Sequence, residues 1–238
     1  MNYENKVAYI TGGTHGIGFG VAKYLLEKGM RVAISGRNLE KAQKAAKELS
    51  SDDSKVLALA SDVGKIENEE KAIQQIKDKF GQLDVVLANA GVGHFAPIYE
   101  LDSEKWKEMM DTNLTGCFNS LKASFESLKK SEGYYITLSS LAGTNFFENG
   151  AGYNASKFGV VGFTQAAMLD LRKYNIKVST IMPGSVSSEF NNHQPSEKDA
   201  WKIQPEDIGK LVWDLLQMHP RTLPSKIEVR PLRPDLKS

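Results

Sequence analysis

The chain has 238 residues, 41% hydrophobic, 25% charged and 9% aromatic, a globular composition long enough to bury a large core. Thirty Lys and Arg against 29 Asp and Glu leave a formal charge of +1, which excludes the basic excess of a nucleic-acid binder and the acidic tracts of a disordered chain. The single cysteine, Cys117, excludes an intrachain disulfide framework and a cysteine-based zinc cluster, and no metal site is expected.

The N-terminal Met-Asn-Tyr-Glu-Asn-Lys leads into a strand-like run at 7–10 and not into a signal-peptide core. The next segment carries a helical stripe of Ile17, Val21, Tyr24 and Leu25 and meets a stop signal at Gly29. Further short apolar or β-branched runs, at 32–35, 56–60, 85–88, 135–138, 178–182 and 227–229, are bounded by Gly, Asp, Pro or Ser and predict strands. Between them, 39–49, 66–80, 102–130, 152–173 and 206–218 have helical spacing, and 102–130 is expected to break near 111–113 into two helices. Seven strands alternating with helices imply an α/β fold: one Rossmann-like, doubly wound, mainly parallel sheet with helices on both faces, a single domain over 1–238. Residues 188–204, polar and interrupted by Pro195, are the exception and read as a mobile lid over a site. No apolar run approaches the roughly 18 residues of a membrane span, so a cytoplasmic protein without a membrane partner is expected.

Directly after the first strand comes Thr11-Gly12-Gly13-Thr14-His15-Gly16-Ile17-Gly18, which runs straight into a helix. Glycines permit positive φ in such a turn and let the backbone approach a diphosphate. The helix that follows offers unpaired N–H groups and the positive end of its dipole. At the end of the second strand, Gly36 stands where NAD-binding proteins place a carboxylate for the ribose hydroxyls, and Arg37 follows it. An arginine fork pairs well with a 2′-phosphate, and Ser35 and Asn38 can add hydrogen bonds, so NADP(H) is the expected cofactor. Farther along, Tyr153 and Lys157 are four apart in a helical segment and share a face. A phenol titrates near 10, and a neighbouring ammonium favours its ionised form. Bringing it to about 7 takes about 4 kcal/mol of differential stabilisation.

The spacing Gly-x3-Gly-x-Gly at Gly12, Gly16 and Gly18 differs from the Gly-x-Gly-x-x-Gly of ordinary dinucleotide folds. Downstream stand Asn89-Ala90-Gly91 after the fourth strand, Asn113 in the fifth helix, Ser140 after the fifth strand, Tyr153-Asn154-Ala155-Ser156-Lys157 in the sixth helix, and Pro183-Gly184-Ser185-Val186-Ser187-Ser188 after the sixth strand. In this order, from about residue 6 to the end, the chain resembles the short-chain dehydrogenase/reductase family. The likeness is nearest in style to 3-oxoacyl-carrier-protein reductases and other small carbonyl reductases. The resemblance implies that Tyr153 donates the proton, Lys157 lowers its pKa and holds the nicotinamide ribose, and Ser140, 13 residues before the tyrosine, positions the carbonyl. Asn113 would hold a water that links Lys157 to solvent. For the cofactor it implies Gly12, Thr14, His15, Gly16, Ile17 and Gly18 in the turn, with His15 where NADP-using relatives often carry a basic residue. It also implies Asp62 and Val63 at the adenine, Asn89, Ala90 and Gly91 beside the nucleotide, and Pro183, Gly184, Val186 and Ser188 around the carboxamide. Ser188 replaces the family's usual threonine and keeps its hydroxyl.

His94, Phe95, Leu141, Phe146, Phe147, Phe190 and Trp201 lie on loops expected at the carboxyl ends of the strands. Aromatics that converge there favour an apolar or acyl-linked carbonyl substrate, and the alternative is that Phe146 and Phe147 pack in a subunit interface and Trp201 anchors the lid. Lys129, Lys130, Arg172 and Lys173 either meet an acidic carrier protein or serve as the cations favoured at helix C-termini. The resemblance also implies a homodimer or homotetramer, with Phe163, Ala166, Ala167 and Met168 offered as interface residues. The expected activity is hydride transfer between NADPH and a ketone or aldehyde. The alternatives are an NAD-linked alcohol or steroid dehydrogenase and a nucleotide-sensing protein without catalysis.

Overall fold

A computed structural model describes residues 3–233. Its elements run β1 (Val7–Ile10), α1 (Gly16–Glu27), β2 (Arg31–Gly36), α2 (Leu39–Leu49), β3 (Val56–Ala60), α3 (Ile66–Phe80), β4 (Val85–Ala88), α4 (Ser103–Met109), α5 (Gly116–Ser131), β5 (Tyr134–Leu138), α6 (Ala151–Leu171), β6 (Lys177–Pro183), α7 (Pro205–Gln217) and β7 (Lys226–Val229). All neighbouring strands pair parallel, in the order β3-β2-β1-β4-β5-β6-β7. The winding reverses between β1 and β4. At such a switch point the loops beyond the strands' carboxyl ends part and leave a crevice for a ligand.

The inner strands are largely apolar on both faces, because helices cover both, whereas the edge strand β7 exposes Lys226 and Glu228. Along β1, Val7 and Tyr9 face one core while Ala8 and Ile10 face the other, as a two-residue side-chain period demands. The first core gathers Ala72, Ile73 and Ile76 of α3, Leu121 and Leu128 of α5, and Val160 and Leu171 of α6. The second gathers Val21 and Leu25 of α1 with Ile208, Val212 and Leu215 of α7. Ala167 belongs to the first core, and the partly buried Phe163 and Met168 pack against that core.

Two helices begin and end where local chemistry says they should. Asn38 caps α2, its Oδ1 accepting from Lys41 N–H at 2.9 Å, and Gly81 closes α3 at φ 75°. The expected break at 111–113 takes another form. The backbone stays helical there but widens into a π turn, Met110–Thr115, between α4 and α5. Such a turn inserts an extra residue and re-aims the side chains within it, Asn113 among them. Among the described residues, no helix is long and apolar enough to cross a membrane.

Candidate active site

The glycine turn is locked to the neighbouring strand's end. Thr11 Oγ1 accepts from the amides of Asn89 and Ala90, both at 3.0 Å, and Asn89 Nδ2 donates to the carbonyls of Thr11 and Gly12 at 2.9 and 3.0 Å. Gly12 needs to be glycine: its φ is +63°, and a Cβ there would stand 2.8 Å from Ala90 Cα. Beyond it, Thr14 and His15 lead into α1, whose first turn has neither a side-chain cap nor an acidic residue. The amides around Gly16, Ile17 and Gly18 are thereby left for an anion, and this donor set fits the diphosphate of a dinucleotide.

At the end of β2 the expected residues separate. Ser35 is completely buried, and its Oγ accepts from the Tyr9 hydroxyl at 3.0 Å, so it serves the core and does not face the crevice. Asn38 commits its side-chain oxygen to the α2 cap. Arg37 is 68% exposed and donates to Glu108 of α4 at 3.2 Å. Asp62 turns one oxygen onto Gly64 N–H at 3.1 Å, while the Val63 side chain is buried and its carbonyl accepts from Asn119 at 2.8 Å.

Tyr153, Lys157, Ser140 and Asn113 gather at the ends of β4 and β5. Lys157 is buried on α6, and its Nζ donates to the Leu138 carbonyl at 2.9 Å and stands 5.7 Å from the Tyr153 ring centre. Ser140 Oγ accepts from Ala142 N–H at 3.1 Å and lies close enough to the Tyr153 hydroxyl to draw its pKa down. Its neighbour Ser139 is buried and donates to the Lys157 carbonyl at 3.0 Å, which leaves Ser140 as the serine at the phenol. Asn113 holds Val92 by both backbone groups, Oδ1 accepting at 2.8 Å and Nδ2 donating at 2.9 Å, and also donates to Ser156 Oγ at 2.9 Å. A Cβ on Gly91 would lie 3.3 Å from Asn113 Oδ1 and 3.6 Å from Lys157 Nζ, so the amide and the ammonium face one spot.

Burial sets the electrostatics. The Lys157 ammonium is pushed down to about 8 by desolvation. Tyr153 departs from expectation: desolvation pushes its phenol up to about 12, and the Ser140 hydroxyl opposes this only in part. The physical reason is its surroundings. Phe95, Phe190 and Phe147 have ring centres 5.4, 5.7 and 6.5 Å from that of Tyr153 and keep water from it. The protein alone therefore holds the phenol protonated.

Residues 188–204 form two short 3₁₀ turns, Phe190–Asn192 and Glu197–Asp199, and are tied down by a parallel bridge between Val186 and Ile203. Asp199 accepts from His193 at 2.6 Å and pairs with Lys202 at 2.5 Å, which holds its carboxyl down at about 2. His193 thus anchors the segment. The segment reaches both ends of the crevice: Ser188 Cβ is 3.3 Å from where a Gly16 Cβ would be, and Phe190 packs on Tyr153. Pro183 and Gly184 shape the exit from β6, with Gly184 N–H bonded to the Val229 carbonyl at 2.8 Å. Phe146 stacks on Phe158 instead of on the phenol, at 5.5 Å and nearly parallel. A cavity of about 230 Å³ adjoins Phe95 and is lined by His94, Lys105 and Asn191 among others.

Glu108 was not singled out in the sequence. Its partners Arg37 and His94 lie 71 and 14 residues away, on other elements, and no spacing rule connects them. Thr11 was legible only as part of the turn, although its hydroxyl fastens two amides.

A family profile described as short chain dehydrogenase matches residues 6–199. An uncharacterized oxidoreductase of Staphylococcus aureus (strain MRSA252) is 32% identical over 230 residues, 96% of this chain and 98% of the relative. The structure is similar to an alcohol dehydrogenase from the archaeon Thermococcus sibiricus complexed with 5-hydroxy-NADP, with a TM-score of 0.89 and 29% identity over 97% of this chain and 99% of that one. It is also similar to a 3-ketoacyl-(acyl-carrier-protein) reductase from Brucella melitensis complexed with NADH, with a TM-score of 0.88, 97% of this chain and 99% of that one. At 24% identity this last likeness speaks for the fold alone. With a profile match across most of its length and the parallel sheet the family implies, the chain belongs to the short-chain dehydrogenase family of oxidoreductases.

Proposed function

We propose that the protein is an NADPH-dependent reductase of ketones or aldehydes, working in the cytoplasm, with Tyr153 as the proton donor. The observation that carries this reading is the convergence of Tyr153, Ser140 and Lys157 at the end of β5, with the phenol held protonated by burial. When bound, a reduced nicotinamide supplies the hydride to the carbonyl carbon. Ser140 orients the carbonyl oxygen and Tyr153 gives it a proton. A phenol at about 12 remains a stronger acid than the alcohol being made, so it can protonate the oxygen as hydride arrives.

Lys157 has two tasks. It holds the nicotinamide ribose hydroxyls, and a water held by Asn113 links it to solvent and so reloads the proton that Tyr153 gives up. Arg37 receives the 2′-phosphate. The amides of the glycine turn hold the diphosphate, Asp62 and Val63 meet the adenine, and Val186 and Ser188 meet the carboxamide. Residues 188–204 act as the lid, since Phe190 already lies on the phenol. The ring of Phe95, Phe147 and Phe190 favours a carbonyl flanked by an apolar group. Exposed Phe118, Phe158 and Leu169 on α5 and α6 support assembly as a homodimer or homotetramer.

The test is a panel of aryl ketones, alkyl ketones and aldehydes, offered with NADPH and with NADH, with alcohol product identified. Stoichiometric alcohol formation with a higher kcat/KM for NADPH supports the reading. Alcohol oxidation with NAD as the faster reaction defeats it.

A further inference from the structure

We propose that Glu108 is a cofactor-discriminating residue: its carboxylate occupies the guanidinium that would receive the 2′-phosphate and so holds down the preference for NADPH over NADH. This rests on the reading of Arg37 given above. One Glu108 oxygen accepts from Arg37 Nη1 at 3.2 Å, and the other lies 2.8 Å from His94 Nε2. The carboxylate is therefore gripped at both oxygens, by the turn after β2 and by the loop after β4, and the pair spans the two sides of the crevice. Its ionised form is favoured, first by the His94 hydrogen bond and then by Arg37.

The end of β2 carries no acid of its own: Gly36 stands there, and a Cβ on it would crowd the Thr14 methyl at 2.8 Å. Glu108 delivers a negative charge to the same neighbourhood from α4 instead. A 2′-phosphate seeking the fork of Arg37 must displace or share this carboxylate, and it carries like charge. NADH makes no such demand and leaves the pair intact. Arg37 is 68% exposed and Glu108 is 37% exposed, so solvent keeps the effect modest, about three- to tenfold in affinity.

The test is calorimetric titration of NADPH and NADH, without substrate, into the wild type, Glu108→Gln, Glu108→Lys and Arg37→Gln. Glu108→Gln is expected to tighten NADPH about three- to tenfold while NADH stays within about twofold. Glu108→Lys is expected to tighten NADPH further, and both gains shrink as salt is raised. If Arg37→Gln weakens NADPH but neither Glu108 variant tightens it, the role of Glu108 is overturned while that of Arg37 stands. If Arg37→Gln leaves the NADPH-to-NADH ratio unchanged, the reading of Arg37 falls and this inference falls with it.

Discussion

Replacing Lys157 by methionine is expected to make the protein more stable at neutral pH while abolishing turnover. The lysine is 4% exposed, and burial brings its ammonium from 10.5 down to about 8. A cation whose folded pKa lies below its unfolded value opposes folding wherever the unfolded chain is still protonated. The cost is full below about pH 8, shrinks as pH rises toward 10.5, and is gone above that. Moving the pKa from 10.5 to about 8 corresponds to about 3 kcal/mol at neutral pH. Against this stands the charged hydrogen bond from Nζ to the Leu138 carbonyl, worth about 1.5–3 kcal/mol. Lys157→Met should therefore gain up to about 1.5 kcal/mol at pH 7, or up to roughly 6 °C in Tm for a chain of this size. Urea unfolding of both proteins at pH 7 and pH 10 measures it, because other titrating groups cancel in the difference. The variant's advantage should fall by about 2–3 kcal/mol over that range. A variant less stable than wild type at pH 7, or a difference independent of pH, would refute the reasoning. The buried ammonium is a functional group kept at the expense of stability.

Other residues give separate handles. Asn113→Ala strips partners from both backbone groups of Val92 and from Ser156, so unfolding should become easier by about 2–4 kcal/mol, read as a lower urea midpoint at unchanged slope. Arg37→Asp should weaken NADPH about tenfold or more and swing turnover toward NADH, measured as the ratio of kcat/KM for the two nucleotides. Phe190→Ala removes a ring that covers the phenol. It should raise KM for apolar ketones about tenfold, with NADPH affinity in calorimetry held within about twofold.

The elements legible in the sequence were those whose signals are local. The strands at 56–60 and 85–88 and the helices at 39–49 and 66–80 have the bounds their residues imply, since Asn38 caps one helix and Gly81 ends another within a few residues of the chain itself. Tyr153, Lys157 and Ser140 converge because a helical turn and a strand end fix their separations. What escaped depends on distant partners. Ser35 sits on a strand buried on both faces, so alternation cannot say which way its hydroxyl points, and it turned to Tyr9. The π turn at Asn113 carries no proline or glycine to announce it. The raised pKa of Tyr153 comes from three phenylalanines on three separate segments, and the Arg37–Glu108–His94 cluster joins elements that only the tertiary fold brings together.

The most direct test of the central claim, proton donation by Tyr153 during hydride transfer, is a single-turnover experiment with NADPH deuterated at C4. Enzyme loaded with this nucleotide is mixed with an aryl ketone and the alcohol is analysed. Wild type should place the label on the carbinol carbon. Tyr153→Phe should bind NADPH with unchanged Kd yet form alcohol about 10²- to 10⁴-fold more slowly. Alcohol formation by Tyr153→Phe at the wild-type rate, with the nucleotide bound equally well, would contradict it.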